Sequence, residues 1–410
     1  MNLLKKALVC AAMLGCMQHN GNAMNLGTKV VLGTAVAAGI GGIASYYLYP
    51  TRFPTPTGSF GVGTVKHFLR HADSPDLTVQ FWYPTDNKLQ KASVPWSSDF
   101  VTAIKKAYPS ARLLIGCNRI LTHAEPCAPI TQSQDSYPVI IYSHGLPGYP
   151  GENLSLCEGL ASHGYIVAGI GHPCEEYRKK ARGPLSFDEN QVLSNQEAER
   201  WIVDAQRVLD YLEQINVQPV DNRFYDKLDL HNVGMAGHSF GGSTAIQLCR
   251  RDKRCKAGVN MDGFLYGAQP TAPFKKPIMF LLSSELAGLR SLPKERIIQA
   301  FQTQENYEKA CNSDRGDFAA IADAIGKDVY KIVIKDTQHN AFVDTALLRD
   351  CSIFTRFFDL NTGPLNSYRA HEIMNAYVCA FFDKYLKNEQ PALLDEQQAR
   401  YPEVEMQRWG

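Results

Sequence analysis

Apolar positions along the chain fall into a few distinct patterns. LTVQFWYP (77–84) alternates apolar with polar residues, as a half-buried strand does. Six further runs are almost continuously apolar and close on turn residues: YPVIIYSHG (137–145), GYIVAGIG (164–171), HNVGMAGHS (231–239), CKAGVNMDG (255–263), PIMFLLSS (277–284) and VYKIVIKD (329–336). Such runs suit strands of a parallel sheet covered on both faces. Helical periodicity lies between them. Ser194-Asn195-Gln196-Glu197 matches a capping box, and after it Ala198, Trp201, Ile202, Ala205, Val208, Leu209, Leu212 and Ile215 form one stripe, predicting a helix of about six turns. Residues 366–386 predict a second long, apolar-rich helix. Strands alternating with helices imply βαβ units, hence an α/β fold with a mostly parallel central sheet and helices on both faces.

The remaining stretches set the boundaries. TRFPTPTG (51–58) reads as a linker, 85–136 as a polar insertion over one end of the sheet, and 285–328 as a second, helical insertion. Residues 58–390 then form the main domain, and 391–410 a C-terminal tail. The first fifty residues differ in kind. Lys5-Lys6 precede an apolar run ending near Cys16, which reads as a secretory signal over 1–23. Met13-Leu14-Gly15-Cys16 also resembles a bacterial lipobox with Cys16 as the lipidated residue, and Gly21-Asn22-Ala23 is an alternative cleavage site. Within 24–57, Val30 to Tyr49 carries no charge and is about long enough to span a bilayer. All these readings take the chain out of the cytoplasm: secreted, periplasmic or attached to a membrane.

Composition excludes more than it selects. With 42 basic and 41 acidic residues in 410, the net charge of +1 gives no footprint for nucleic acid. Of eleven cysteines, Cys117/Cys127 and Cys249/Cys255 are spaced for disulfides in an oxidising compartment, and no pair has zinc-site spacing. Buried free thiols, behaving as small hydrophobes, are the alternative for several of them.

The chemistry concentrates at VGMAGHSFGGS (233–243). Gly237-His238-Ser239-Phe240-Gly241 fits G-x-S-x-G, with a strand-like run before it and a helix-like run after it. That order is the one a nucleophile elbow requires, because the turn exposes the serine hydroxyl. A serine needs a base to take its proton, and in this arrangement acid and histidine follow the serine in the chain. His231 and His238 come too early; His238 reads as a turn residue bonded locally. His339 follows a strand-like run and is the candidate base, whereas His371 sits inside the last helix and reads as structural. Asp262, at the end of AGVNM, is the candidate acid, with Asp336 its main competitor and Asp252 a solvated turn residue. Ser239, Asp262 and His339 all lie at carboxyl ends of strands, where open parallel sheets gather their sites. An attacked ester becomes an oxyanion and needs N–H donors: the backbone of Phe240, and that of Leu146 in HGLPG.

GHSFGGSTAIQ, NMDGFLYG and QHNAFVD, with YPVIIYSHGLPG, LASHGYIVAGIGH, FGVGTVKHF, LTVQFWYP and PIMFLLSSE, resemble the platelet-activating factor acetylhydrolases of the lipoprotein-associated phospholipase A2 type. The likeness runs in order from about residue 58 to 386, and the acid lies 23 residues past the serine. It implies an α/β-hydrolase and a calcium-independent serine esterase with no cofactor or metal. Short or oxidised acyl chains at the sn-2 position of glycerophospholipids would be the substrate, met at a lipid surface. It also implies Ser239 as nucleophile, His339 as base, Asp262 as acid and Leu146 and Phe240 as oxyanion donors. The segments 85–136, 174–189 and 285–328 depart from the family pattern. A broader carboxylesterase or polyester hydrolase is the alternative within the fold, and a non-catalytic lipid- or partner-binding module the alternative outside it.

Overall fold

The computed structural model describes residues 51–409 apart from 71–74, 90, 93, 96–119 (102 excepted), 147, 182–184, 220–222, 269–274, 289–302, 313–327 (322 and 325 excepted), 351–360 and 396–399. The signal, lipobox and Val30–Tyr49 expectations therefore lie outside the described residues, as do Cys117 and much of both insertions. Among the described residues no helix is long and apolar enough to cross a membrane.

Ten strands form one sheet: β1 Gly61–Leu69, β2 Leu77–Thr85, β3 Ala124–Pro126, β4 Tyr137–Ser143, β5 Ile166–Gly171, β6 Leu228–His238, β7 Cys255–Met261, β8 Ile278–Ser283, β9 Val329–Ile334 and β10 Val404–Trp409. Their order across the sheet is β10-β9-β8-β7-β6-β4-β5-β2-β1-β3. The six strands from β9 to β5 are mutually parallel, which brings their carboxyl ends to one edge. β10, β2 and β1 run antiparallel to their inner neighbours.

Alternation within each strand divides the core in two. Ile140 and Tyr142 of β4 pack in a cluster with α1 (Leu154–Ser162) and α5 (Ser367–Leu386). Val139 and Ile141 pack in another with α3 (Phe187–Val217) and α4 (Phe240–Arg251). A short helix, α2 (Glu175–Ala181), precedes α3. Covering both faces keeps β4 and β8 buried along their whole length. It also accounts for a departure in β2, expected to be half-buried: even Gln80 is buried, bonded to Thr64 Oγ1 at 2.6 Å.

Three further boundaries differ from the pattern-based reading. The long helix α3 begins at Phe187, and its capping box is Ser186 with Glu189. Ser194 and Glu197 lie inside the helix and are buried. Ser194 Oγ meets the Tyr177 hydroxyl, and Glu197 accepts from Trp201 Nε1. The tail contains the edge strand β10, paired with β9 and tied to α5 by Arg369–Glu403. Segment 85–136 supplies β3 to the main sheet and, with residues 51–52, a small second sheet. Cys249 and Cys255 are free thiols buried in the core rather than a disulfide, and Cys127 is free and exposed.

Candidate active site

The chain reaches Ser239 along β6 and must turn at once into α4. Ser239 sits at φ 53°, ψ −117°, a backbone conformation costly for a residue with a side chain, and its N–H donates to Met261 O at 2.7 Å. Glycine makes the turn sterically feasible. A Cβ on Gly237 would lie 2.2 Å from the Gly241 backbone, and one on Gly241 would lie 2.1 Å from Ser143 O.

Asp262 follows β7 directly. Its backbone, also at positive φ, is held by an N–H bond to Leu281 O, and its carboxylate is almost fully buried. Ser283 fixes both oxygens: its N–H donates to Oδ1 at 2.6 Å and its hydroxyl to Oδ2 at 3.0 Å. His339 opens a short turn after β9. Its Nδ1 lies 2.8 Å from Asp262 Oδ2 and its Nε2 2.9 Å from Ser239 Oγ. The carboxylate dictates the tautomer: Nδ1–H donates to Asp262, leaving Nε2 free to accept the serine proton. The imidazole is 36% exposed, so a substrate can reach this end of the chain of hydrogen bonds. Burial pushes the His339 imidazole down, but the hydrogen bond and charge of Asp262 raise it by more, leaving it above the ordinary histidine value.

The competing assignments separate spatially. Asp336 is exposed, and its backbone, not its carboxylate, anchors the loop by accepting from Leu365 N–H. Asp252 is paired with Arg254 rather than merely solvated. His371 is fully buried in α5, where Ser155 Oγ lies 2.9 Å from its Nδ1 and Val343 O accepts from its Nε2. His238 departs from the expectation of local bonding: its partners are Glu152 and the backbone of His339, 86 and 101 residues away in sequence.

The HGLPG loop lies against the elbow. A Cβ on Gly145 would come 3.3 Å from the Ser239 Cβ. The Gly145 carbonyl accepts from His144 Nδ1 and from Gly148 N–H, both at 2.6 Å. A trans peptide is planar, so fixing that carbonyl aims the Leu146 N–H in the opposite direction. Phe240 is the first residue of α4, where an N–H has no partner within the helix. The side chains of Leu146 and Phe240 pack with Cys174, Ala198, Trp201 and Tyr266 in a separate apolar cluster.

Sequence reasoning missed what lies under this loop. Ser143 Oγ is 3.0 Å from His172 Nε2, and His172 Nδ1 is 3.0 Å from Asp204 Oδ2. Trp201 stacks on the His172 ring at 3.9 Å and 5°. The His172 N–H donates to His144 Nε2, which settles His144 as the neutral Nδ1–H tautomer. The only sequence signal was proximity: Ser143 precedes the loop, His144 opens it, and His172 follows the next strand.

A family model described as platelet-activating factor acetylhydrolase, isoform II, matches residues 48–203 and 185–399, nearly the whole described chain. The chain belongs to that family. It is accordingly a carboxylic ester hydrolase on an α/β-hydrolase fold. The chain is 24% identical over 377 residues to the platelet-activating factor acetylhydrolase of Cavia porcellus, covering 82% of this chain and 78% of that one. The Canis lupus familiaris protein of the same name is 23% identical, with 84% and 79% covered. A probable 1-alkyl-2-acetylglycerophosphocholine esterase of Arthroderma benhamiae is 24% identical, with 64% and 66% covered. Among solved structures, a ferulic acid esterase from Streptomyces cinnamoneus shares the fold with a TM-score of 0.64 at 23% identity, covering 87% of this chain and 99% of that one.

Proposed function

We propose that this acetylhydrolase-family chain hydrolyses short or oxidised sn-2 acyl esters of glycerophospholipids through an acyl-enzyme on Ser239, without calcium, at a lipid surface outside the cytoplasm. The observation that carries the proposal is the continuous hydrogen-bond chain Ser239 Oγ–His339 Nε2, His339 Nδ1–Asp262 Oδ2. His339 takes the serine proton as Oγ attacks the ester carbon, and Asp262 holds the ring and stabilises its charged form. The N–H groups of Leu146 and Phe240 receive the oxyanion. On collapse the ester bond breaks, and the glycerol oxygen leaves with the proton from His339. Water then repeats the sequence on the acyl-enzyme, freeing the carboxylic acid and Ser239.

A panel of short-acyl and long-acyl phosphatidylcholines, nitrophenyl esters and a polyester, assayed with a chelator present, tests this reading. Preference for short sn-2 chains is expected, with the chelator having no effect. Equal hydrolysis of all members would instead indicate a general carboxylesterase. Ser239→Ala is expected to abolish turnover in a folded protein, and a fluorophosphonate adduct should map to Ser239 in the parent chain. Turnover surviving in Ser239→Ala would remove the assignment.

A further inference from the structure

A second carboxylate–imidazole pair lies against the same site. His238, next to Ser239, is buried, and its Nδ1 lies 3.0 Å from Glu152 Oε1. Its Nε2 lies 3.1 Å from the backbone oxygen of His339, and the two rings are 4.8 Å apart. The same Glu152 oxygen accepts the Gly145 N–H at 3.1 Å. Glu152 is itself anchored: its N–H donates to Tyr149 O, and its carbonyl accepts from Asp344 N–H.

Acceptors face both nitrogens of the His238 ring. Burial pushes the Glu152 carboxyl up, but the hydrogen bond and charge of His238 bring it down by more, below the ordinary glutamate value. Both partners of His238 are then acceptors, a carboxylate and a carbonyl. A buried carboxylate and imidazole cost desolvation that an apolar pair of the same volume would not, so packing alone does not account for them. What the pair does uniquely is connect. One end holds the N–H of Gly145, the residue before Leu146, and the other holds the backbone of the histidine bonded to Ser239.

We propose that Glu152 and His238 are positioning residues for the hydrolysis, tying the loop that presents the Leu146 N–H to the backbone of His339. Oxyanion donor and base are thereby held at one spacing on either side of Ser239. The inference rests on the catalytic reading above, and extends it to two residues that do not touch the substrate.

The test compares the parent chain with Glu152→Ala, Glu152→Gln and His238→Phe. It uses nitrophenyl acetate as substrate and an alkyl trifluoromethyl ketone, which adds to serine as an oxyanionic hemiketal. Displacing a catalytic group by about 1 Å costs about 10²-fold, so kcat should fall about 10²-fold in Glu152→Ala and His238→Phe. KM should stay within about threefold, and ketone affinity should fall in parallel with kcat. Glu152→Gln retains an acceptor for both donors and should recover about tenfold of the loss. Wild-type kcat in folded Glu152→Ala and His238→Phe, or a loss confined to KM with ketone affinity unchanged, overturns the proposal. Should the single variants not fold, Glu152→Gln/His238→Phe leaves no unpaired charge and is read by the same two criteria. Turnover in Ser239→Ala would instead remove the reading beneath it, whereas an inert Ser239→Ala beside fully active Glu152 and His238 variants would overturn this inference alone.

Discussion

Ser239, Ser143 and Ser155 each lie 2.9 to 3.0 Å from a histidine that has an aspartate nearby: His339 with Asp262, His172 with Asp204, and His371 with Asp344. Residue types therefore do not separate the proposed nucleophile Ser239 from the other two serines; access and connectivity are what favour it. Ser143 is fully buried beneath a stacked tryptophan. Ser155 stands between its aspartate and its histidine, so the carboxylate does not orient the ring from behind. Only the Ser239 set runs serine to Nε2 and Nδ1 to carboxylate with its imidazole partly exposed. Position in the chain separated His339 from His371 at the sequence level, because a loop after a strand can present a ring and a helix buried on one face cannot. The roles of His172, Glu152 and His238 were not legible, since the contacts Ser143–His172, Glu152–His238 and His238–His339 span 29, 86 and 101 residues and no local pattern encodes them. If His339 is the base, its neutral form is the active one. Its raised value then puts the acid limb of kcat/KM above the ordinary histidine value of about 6.5. Asp262→Asn removes the largest contributions that raise it, leaving the smaller ones of Glu152 and Glu285 and the burial that lowers it. The residual activity should lose its acid limb toward lower pH, with kcat down about 10⁴-fold. Asp336→Asn, on an exposed carboxylate, should leave both rate and profile as they are. A shifted profile in Asp336→Asn with none in Asp262→Asn would reverse the assignment of the acid.

Element types were more legible than element ends. The continuous apolar runs predicted β4 to β9, because burial on both faces is written into every position of such a strand. The start of α3 was misplaced by two turns for a physical reason. Ser186 and Glu189 form a reciprocal cap, Ser186 Oγ accepting from Glu189 N–H and the Glu189 carboxylate from Ser186 N–H. The first turns that follow carry Asp188, Glu189, Asn190 and Gln191, with no apolar stripe to mark them. The stripe starts only where the helix meets the sheet, beside a second sequence that also fits the capping pattern. Edge strand β10 was read as a tail because alternating exposure and charges such as Glu405 and Arg408, which keep an edge from pairing with another chain, also erase a strand's apolar signature. The cap gives a direct test. Ser186→Ala should cost about 1 kcal/mol of stability by urea unfolding, the usual loss for an N-cap hydroxyl. If the helix instead began at Ser194, Ser186→Ala would leave the unfolding midpoint unchanged.

At the scale of the whole molecule, both faces of the sheet enclose buried polar groups among their apolar side chains. Helices α3 and α4 bury Glu197, Asp204 and Gln247, and the α1–α5 face encloses the buried group Ser155, Asp344 and His371. Ser155 Oγ lies 2.6 Å from Asp344 Oδ1 and 2.9 Å from His371 Nδ1, and one hydroxyl proton cannot serve two acceptors. A protonated Asp344 resolves this, with its own proton on the bond to Ser155 and the serine proton directed at Nδ1. Burial favours the same state, raising Asp344 well above 3.8 and pushing His371 down to about 4. Folding thus moves a proton from the histidine to the carboxyl. From about pH 4 up to 6.5 or the raised value of Asp344, whichever comes first, the unfolded pair holds one proton on His371 and the folded pair holds one on Asp344. The counts are equal, so the pair adds no pH slope to stability across that window. Each partner alone would. Asp344→Asn leaves a histidine with a depressed folded value, which binds its proton only when unfolded. Stability should then rise with pH through the window by about 1.4 kcal/mol per unit relative to the parent chain. His371→Gln leaves a carboxyl with a raised folded value, which binds its proton only when folded, and stability should fall as pH rises above about 4. Urea unfolding of the three chains at pH 4.5, 5.5 and 6.5 reads both slopes. Parallel curves for all three would mean that Asp344 and His371 face each other as an ion pair, with no proton transferred on folding.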